Sequence, residues 1–295
     1  MAWRLIAAAL ALASAPAATH VVRDEIWTAE TPALARDLTH APGECLPESA
    51  RTNEVELGRA LFRSSTVLGG PVARIGMSCH SCHTNGRANA RFFLPELTNE
   101  IGAADVTSEW ASAVRGDGQM NPIRIPDLAG VGSRQTFGHL SDPSLDHFVR
   151  SVVEEEFQGA PLSASAHNAL IAYLRALDPA RCATDGRATL RSAADDVRRA
   201  LNAANATSDA ESARLARVAA RERIGLIVER LPARRFARER ARLEALAREL
   251  IEQPGDQGWR ARFDALTRTL ERRERATYFN ERTLARALRT PGTTR

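Results

Sequence analysis

Residues 77–83 read Met77-Ser78-Cys79-His80-Ser81-Cys82-His83. The last five have the form Cys-x-x-Cys-His, the attachment signature of a c-type haem. The spacing has a physical cause. Two thiols three residues apart on one turn of helix can both reach the two vinyl groups of a single macrocycle. The histidine that follows then turns its imidazole toward the iron from the same side. The motif occurs once, so it predicts one haem c, covalently attached through Cys79 and Cys82, with His83 as an iron ligand. Two other chemistries share a Cys-x-x-Cys. A redox pair expects a thioredoxin-like βαβ setting, which the surrounding sequence lacks. A zinc site expects a second ligand pair of similar spacing, also lacking.

The N-terminus fits this chemistry. Arg4 supplies a positive start, Leu5 to Ala15 form an apolar run, and Ala15-Pro16-Ala17 matches a small-x-small cleavage site. Residues 1–17 are therefore expected to be a signal peptide, the alternative being an uncleaved anchor. The run is shorter than the roughly 20 apolar residues a spanning helix needs, and no other segment is apolar enough to cross a membrane. The expected mature protein is soluble and periplasmic. Export also suits the motif, since attachment needs reduced thiols and haem delivered together in an oxidising compartment. In that setting Cys45 and Cys182, which bracket the middle of the chain, are expected to form a disulfide. The alternative is two free or intermolecular thiols.

The remaining pattern is helical. The chain has 295 residues, 44% hydrophobic and only 5% aromatic. Its richness in Ala and Arg favours helix over sheet. Residues 18–50 read as irregular. From Thr52 a helical stripe begins with Val55, Leu57, Leu61 and Phe62, and Gly69-Gly70-Pro71 is expected to break it. Residues 84–135 read as loops with one short helix near Ser108–Val114. Asp142-Pro143 predicts a helix start, Asp142 as cap, running to Phe157. Ser163 caps another helix through Leu177. Residues 51–183 thus read as one cytochrome c domain. Residues 184–295 read as helices near 187–204, 209–230, 233–252, 257–278 and 281–289, forming a bundle or hairpins. The fold class is all-α.

Charge divides at the same boundary. Residues 1–183 hold 15 Arg and 20 acidic residues, a net −5, and residues 184–295 hold 25 Arg and 16, a net +9. All 40 basic residues are Arg. A basic helical segment beside an acidic one predicts docking within the chain or onto an acidic partner; the plainer reading is a solvated arginine-rich surface. Nucleic acid is not an expected partner for an exported chain.

Several stretches resemble the cytochrome domains of bacterial di-haem cytochrome c peroxidases. They are Leu57-Gly58-Arg59-Ala60-Leu61-Phe62, the motif itself, Ile125-Pro126-Asp127-Leu128-Ala129-Gly130-Val131, Leu145 through Val149, and Leu170-Ile171-Ala172-Tyr173-Leu174-Arg175-Ala176-Leu177. The resemblance covers roughly residues 52–180 and implies a cytochrome c-like helical domain around one haem. The last 110 or so residues have no recognised counterpart. The family's enzymes carry two haems, one open to peroxide and one delivering electrons; a single motif removes that division of labour. In the family the stretch corresponding to Thr136-Phe137-Gly138-His139-Leu140 supplies the sixth ligand. Phe137 cannot bind iron, so the resemblance points to His139. Met120 is the rival, and would give a higher potential; an open site is the third possibility. Small c-type cytochromes often carry a proline about twelve residues after the ligand histidine, whose carbonyl accepts from the second ring nitrogen. Pro95 is the candidate. His80 is expected to face solvent, and His147 and His167, on helices, have no assigned role.

The favoured activity is one-electron transfer with redox partner proteins. The alternative is a peroxidase-like haem oxidoreductase with an open distal site. A third reading makes the basic C-terminal helices a module that tethers the cytochrome to a partner.

Overall fold

The computed structural model describes residues 20–138 and 141–289. The expected signal peptide and the expected ligand His139 lie outside the described residues. Helices dominate the rest, with two two-residue strand pairs. The helices are α1 (Leu34–Asp37), α2 (Asn53–Phe62), α3 (Gly70–Arg74), α4 (Cys79–Cys82), α5 (Leu145–Ser151), α6 (Ala164–Ala176), α7 (Leu190–Ala206), α8 (Ala210–Glu229), α9 (Ala233–Glu252), α10 (Trp259–Glu271) and α11 (Glu281–Leu288). Strand β1 (His40–Ala41) pairs antiparallel with β4 (Gly186–Arg187), and β2 (Ala103–Ala104) with β3 (Ile123–Arg124).

α2 organises the molecule. Its cap Thr52 accepts from the Val55 amide, one of the amide groups a helix start leaves unpaired. Every residue from Val55 to Phe62 is buried. One face packs on α6, where Gly58 meets Ala169 so closely that a Cβ would sit 1.8 Å from its carbonyl oxygen. Phe62 tilts against Tyr173 with ring centroids 5.2 Å apart. Leu57, Leu61, Leu170 and Leu174 complete this core, each contributing about 1.5–3 kcal/mol on burial. The other face packs on α7 and α8, and Ala60 belongs to the second core, built from Leu190, Val197, Ile224, Ile227, Leu243 and Phe263. Cys45 and Cys182 form a disulfide. Alongside it, Asp178 N donates to Cys45 O at 2.8 Å and Ala183 N to Glu44 O at 3.0 Å. Among the described residues, no helix is long and apolar enough to cross a membrane.

The five C-terminal helices fall close to their expected spans. The fourth is shorter: α10 stops at Glu271, and a 3-10 turn, Glu274–Ala276, follows. Elsewhere local signals misled. α2 ends at Phe62, well before Gly69, and Gly70–Arg74 begins a new short helix with Pro71 in its first turn. Ser108–Val114 forms turns, not a helix, because the Ser108 and Ser112 hydroxyls bond to Glu96 O and Glu155 O and cap successive turns. Asp142 is not the α5 cap. Ser144 is, and Asp142 instead accepts from the Ser144 amide at 2.8 Å. The segment does reach Phe157, but Val152–Glu156 is wound as π-helix.

The basic C-terminal segment docks within the chain, with local charges opposite to the net ones. The acidic half presents Arg59 and Arg63, and the basic half answers with Asp196 at 2.7 and 3.2 Å. Glu222 of α8 accepts from Ser65 N and Oγ at 3.0 and 2.8 Å. Behind the arginines, Glu44 Oε1 lies 2.8 Å from Arg59 and 3.0 Å from Arg63, and it accepts from the Tyr173 hydroxyl at 3.0 Å. Burial opposes ionisation of Glu44, but the guanidiniums of Arg63, Arg59 and Arg51 outweigh it and hold the carboxyl at about 2. Asp196 is pushed far below the usual range by Arg59, Arg63 and Arg223, again against burial.

Breaking this network is therefore costly. Asp196→Ala strands two buried guanidiniums and should destabilise the fold by about 3–5 kcal/mol. Arg191→Ala, which removes an exposed pair with Glu271, should cost no more than about 1 kcal/mol. Urea titrations compare the two. Because the folded Glu44 value lies below the ordinary 4.5, its stabilisation is complete above pH 4.5 and is lost as pH falls toward about 2. That window should remove about 3 kcal/mol. Glu44→Gln should flatten the pH dependence of stability there.

Candidate cofactor-attachment site

The Cys-x-x-Cys-His stretch is a single turn held from both ends. Ser78 precedes α4, and its amide donates to Ser81 Oγ at 3.2 Å. Ser81 is buried; Cys79 and Cys82 are half-buried and unpaired. His83 caps the turn with its amide on Cys79 O at 2.9 Å. Asn89 ties the next loop back, its amide to Cys82 O at 2.9 Å and its side chain to Ser81 O at 2.8 Å. Gly86, at φ +76°, makes the reversal that this return requires, and a Cβ there would meet Leu177 at 2.7 Å.

The imidazole of His83 has a defined tautomer. Its Nδ1 lies 3.0 Å from the carbonyl oxygen of Pro126. A carbonyl can only accept, so Nδ1 carries the proton and Nε2 keeps its lone pair. The Pro126 loop is pinned beside the motif by Leu128 N on Gly86 O at 2.9 Å and by an Arg87–Asp127 ion pair. This corrects the expectation for Pro95. That residue is exposed, in a turn closed by Leu97 N on Leu94 O. The partner comes instead from 43 residues away in sequence.

The three motif side chains are half-buried yet sit in strongly desolvating surroundings. Burial pushes the Cys79 thiol up to about 12 and Cys82 higher still. Burial also lowers His83 to about 4, against the opposing influence of the Pro126 bond and Asp127. Raised thiols are the reverse of a redox Cys-x-x-Cys, whose reactivity depends on a lowered value. Among the described residues, no group of three or more His, Cys, Asp or Glu side chains is placed to hold a metal ion, a number that a haem iron with at most two protein ligands does not require. Two thiols on one turn and an imidazole with a free Nε2 could together hold a porphyrin covalently.

The other expected residues are placed variously. Met120 is 46% exposed; among the described residues, four of the five exposed large apolar side chains, Ile101, Val114, Met120 and Ile123, fall between positions 101 and 123. Ile123 is three residues before Pro126. His139 lies outside the described residues; Phe137 and Asp142, on either side of it in sequence, exchange two backbone hydrogen bonds of 2.8 Å. Phe137 is buried and stacks on Phe148. His147 pairs with Asp142, and His167 Nε2 is 2.9 Å from Asp146.

Two residues near the thiols differ from the sequence reading or lie beyond it. His80, expected to face solvent, is half-buried. Its Nδ1 accepts from the Asn85 amide at 3.1 Å. Burial, then the guanidiniums of Arg63 and Arg223, hold it well below the usual histidine value. The second is Glu156, 5% exposed at the end of the π-turn and 2.9 Å from Arg115. Burial raises it to about 8 despite that arginine, and its charge acts on both thiols. A π-turn is a frequent mark of a functional position, but it has no sequence signal.

The fold and site together define a mainly helical protein with one half-buried Cys-x-x-Cys-His turn. Comparison with protein-family models, curated proteins and solved structures finds nothing that matches this chain.

The raised thiols give a direct test. In chain lacking any attached group, Cys79 and Cys82 should react with iodoacetamide at pH 8 about 100-fold more slowly than free cysteine, and at the free rate in urea. Rates at or above free cysteine in the folded chain would indicate a redox-type motif.

Proposed function

We propose that the chain is an exported c-type cytochrome, holding one haem c through Cys79 and Cys82 with His83 on the iron, and passing single electrons to and from redox partner proteins in the periplasm. One observation carries this reading: His83 has its Nδ1 proton committed to Pro126 O, which frees Nε2 beside two unpaired thiols. The cytochrome c-like character of the helical fold is part of the same proposal.

When bound, haem supplies a one-electron Fe(III)/Fe(II) couple. The chain's own residues provide the rest. Pro126 O orients the His83 ring and raises its basicity. The two thioethers and the bonds from Asn89 fix the turn, so little rearrangement accompanies a change of charge. Ile101, Val114, Met120 and Ile123 leave exposed apolar surface on the segment that leads to Pro126 in sequence. His139 is the proposed sixth ligand, with Met120 as its rival. Arg234, Arg235, Arg238 and Arg242 form an exposed basic face on α9 that would steer an acidic partner. The Cys45–Cys182 disulfide and the lack of a long apolar helix among the described residues support an exported location.

Protein produced in a host with c-type maturation should be coloured and gain the mass of one haem, with both attachments lost in the Cys79→Ala, Cys82→Ala double variant. Its ferric spectrum should be low-spin and indifferent to cyanide and peroxide. His139→Ala should make it high-spin, whereas Met120→Ala should leave it unchanged. Colourless protein would end the cytochrome proposal. A high-spin wild-type haem that consumes peroxide would replace the carrier reading with the peroxidase-like one.

A further inference from the structure

Between α2, α7 and α8 lies a cavity of about 10 Å³, room for one water-sized particle. Four guanidiniums reach its wall, from Arg59, Arg63, Arg199 and Arg223, against two carboxylates, Glu56 and Asp196. Adding the second rank, Glu44 and Arg51, leaves the excess positive. Three buried polar atoms of the cavity's lining residues find no partner among the described residues: the donors Arg63 Nε and Arg223 Nε, and the acceptor Glu56 Oε2. Arg63, with a side chain 7% exposed, spends its other nitrogens on Glu44, Asp196 and Asn85. Arg223 has no carboxylate of its own; its Nη2 donates weakly to Arg63 O at 3.4 Å.

Two buried donors of like charge on a small void whose lining carries more guanidiniums than carboxylates call for a compact acceptor. We propose that this cavity binds one halide-sized monovalent anion, chloride in ordinary solution, held by the Nε–H groups of Arg63 and Arg223. A metal cation is opposed by the positive excess, and sulfate or phosphate is too large for the void. Glu56 tempers the positive excess without cancelling it: it lines the same cavity, Arg51 and Arg199 hold its Oε1 at 2.7 and 3.2 Å, and its Oε2 is buried without a partner among the described residues. The uncompensated charge is also visible in Arg223 itself, which burial and then Arg63 and Arg59 lower to about 10 against the pull of Asp196. The site couples the two halves of the molecule, because Arg63 comes from one and Arg223 from the other.

Crystals of the full chain grown in bromide test the assignment. An anomalous peak between Arg63 Nε and Arg223 Nε supports it. In solution, exchanging gluconate for chloride at constant ionic strength should raise Tm by about 3 °C. Arg223→Met and the charge-conserving Arg223→Lys, which lacks the Nε–H, should abolish that rise, and the surface control Arg275→Met should keep it. No anomalous peak, or equal Tm in the two salts for the wild-type chain, means that the cavity holds water only and overturns the proposal. The diffraction test needs no variant to fold.

Discussion

The meeting of Arg59 and Arg63 with Glu44 and Asp196 is the constraint on which the rest of the molecule depends. An isolated guanidinium buried in a protein is costly, and a buried ion pair is worth keeping only when its hydrogen bonds are filled on both sides. Here the acceptors come from three separate places: the segment before α2, the helix α7, and the loop holding Asn85. None can move without stranding a charge that another has neutralised. The apolar packing of α2 on α6 and on α7–α8 supplies most of the free energy, but apolar contact does not fix a register. The directional bonds of four side chains fix which faces meet.

That arrangement also shows which features the sequence carried and which it did not. Helices with a long apolar stripe and a clear stop were legible, and so Pro232 and Pro254-Gly255 placed the end of α8, both ends of α9 and the start of α10 to within two residues. Net charge was legible too, but it described the wrong surface. The exposed arginines of α9 dominate the total, whereas the interface is decided by Asp196 and Glu222, two acids in a basic segment. A sum over a hundred residues cannot show which few are buried. The Cys45–Cys182 pairing was readable from the compartment and the count of cysteines, with no knowledge of geometry.

Residues 84–135 show the opposite limit. They contain few periodic apolar positions, so their shape is set by individual hydrogen bonds: Asn89 to Ser81, Ser108 to Glu96, Leu128 to Gly86. Such bonds join residues far apart in sequence and leave no local pattern. Pro95 was attractive because it was near His83 in the chain. Pro126 has the role because the Gly86–Leu128 bond brings that loop alongside. The same reasoning explains His80. Its position inside the motif gave no hint that the arginines of α2 and α8 would close over it.

The Cys-x-x-Cys-His turn therefore has two unlike sides. Cys79, Cys82 and His83 keep part of their surface open to solvent, while His80 feels the arginine network that joins the two halves of the chain. The C-terminal helices are on this evidence a wall behind the site, not an appendage to it. This bears on how their role can be studied. Removing residues 184–295 would take away Asp196 and leave Arg59 and Arg63 with only Glu44, so any change in partner association would be mixed with loss of the fold around α4. Substitutions on the exposed face of α9, at Arg234, Arg235, Arg238 and Arg242, leave the buried network whole. They separate a docking surface from a structural support, because only the first depends on charge that water already reaches.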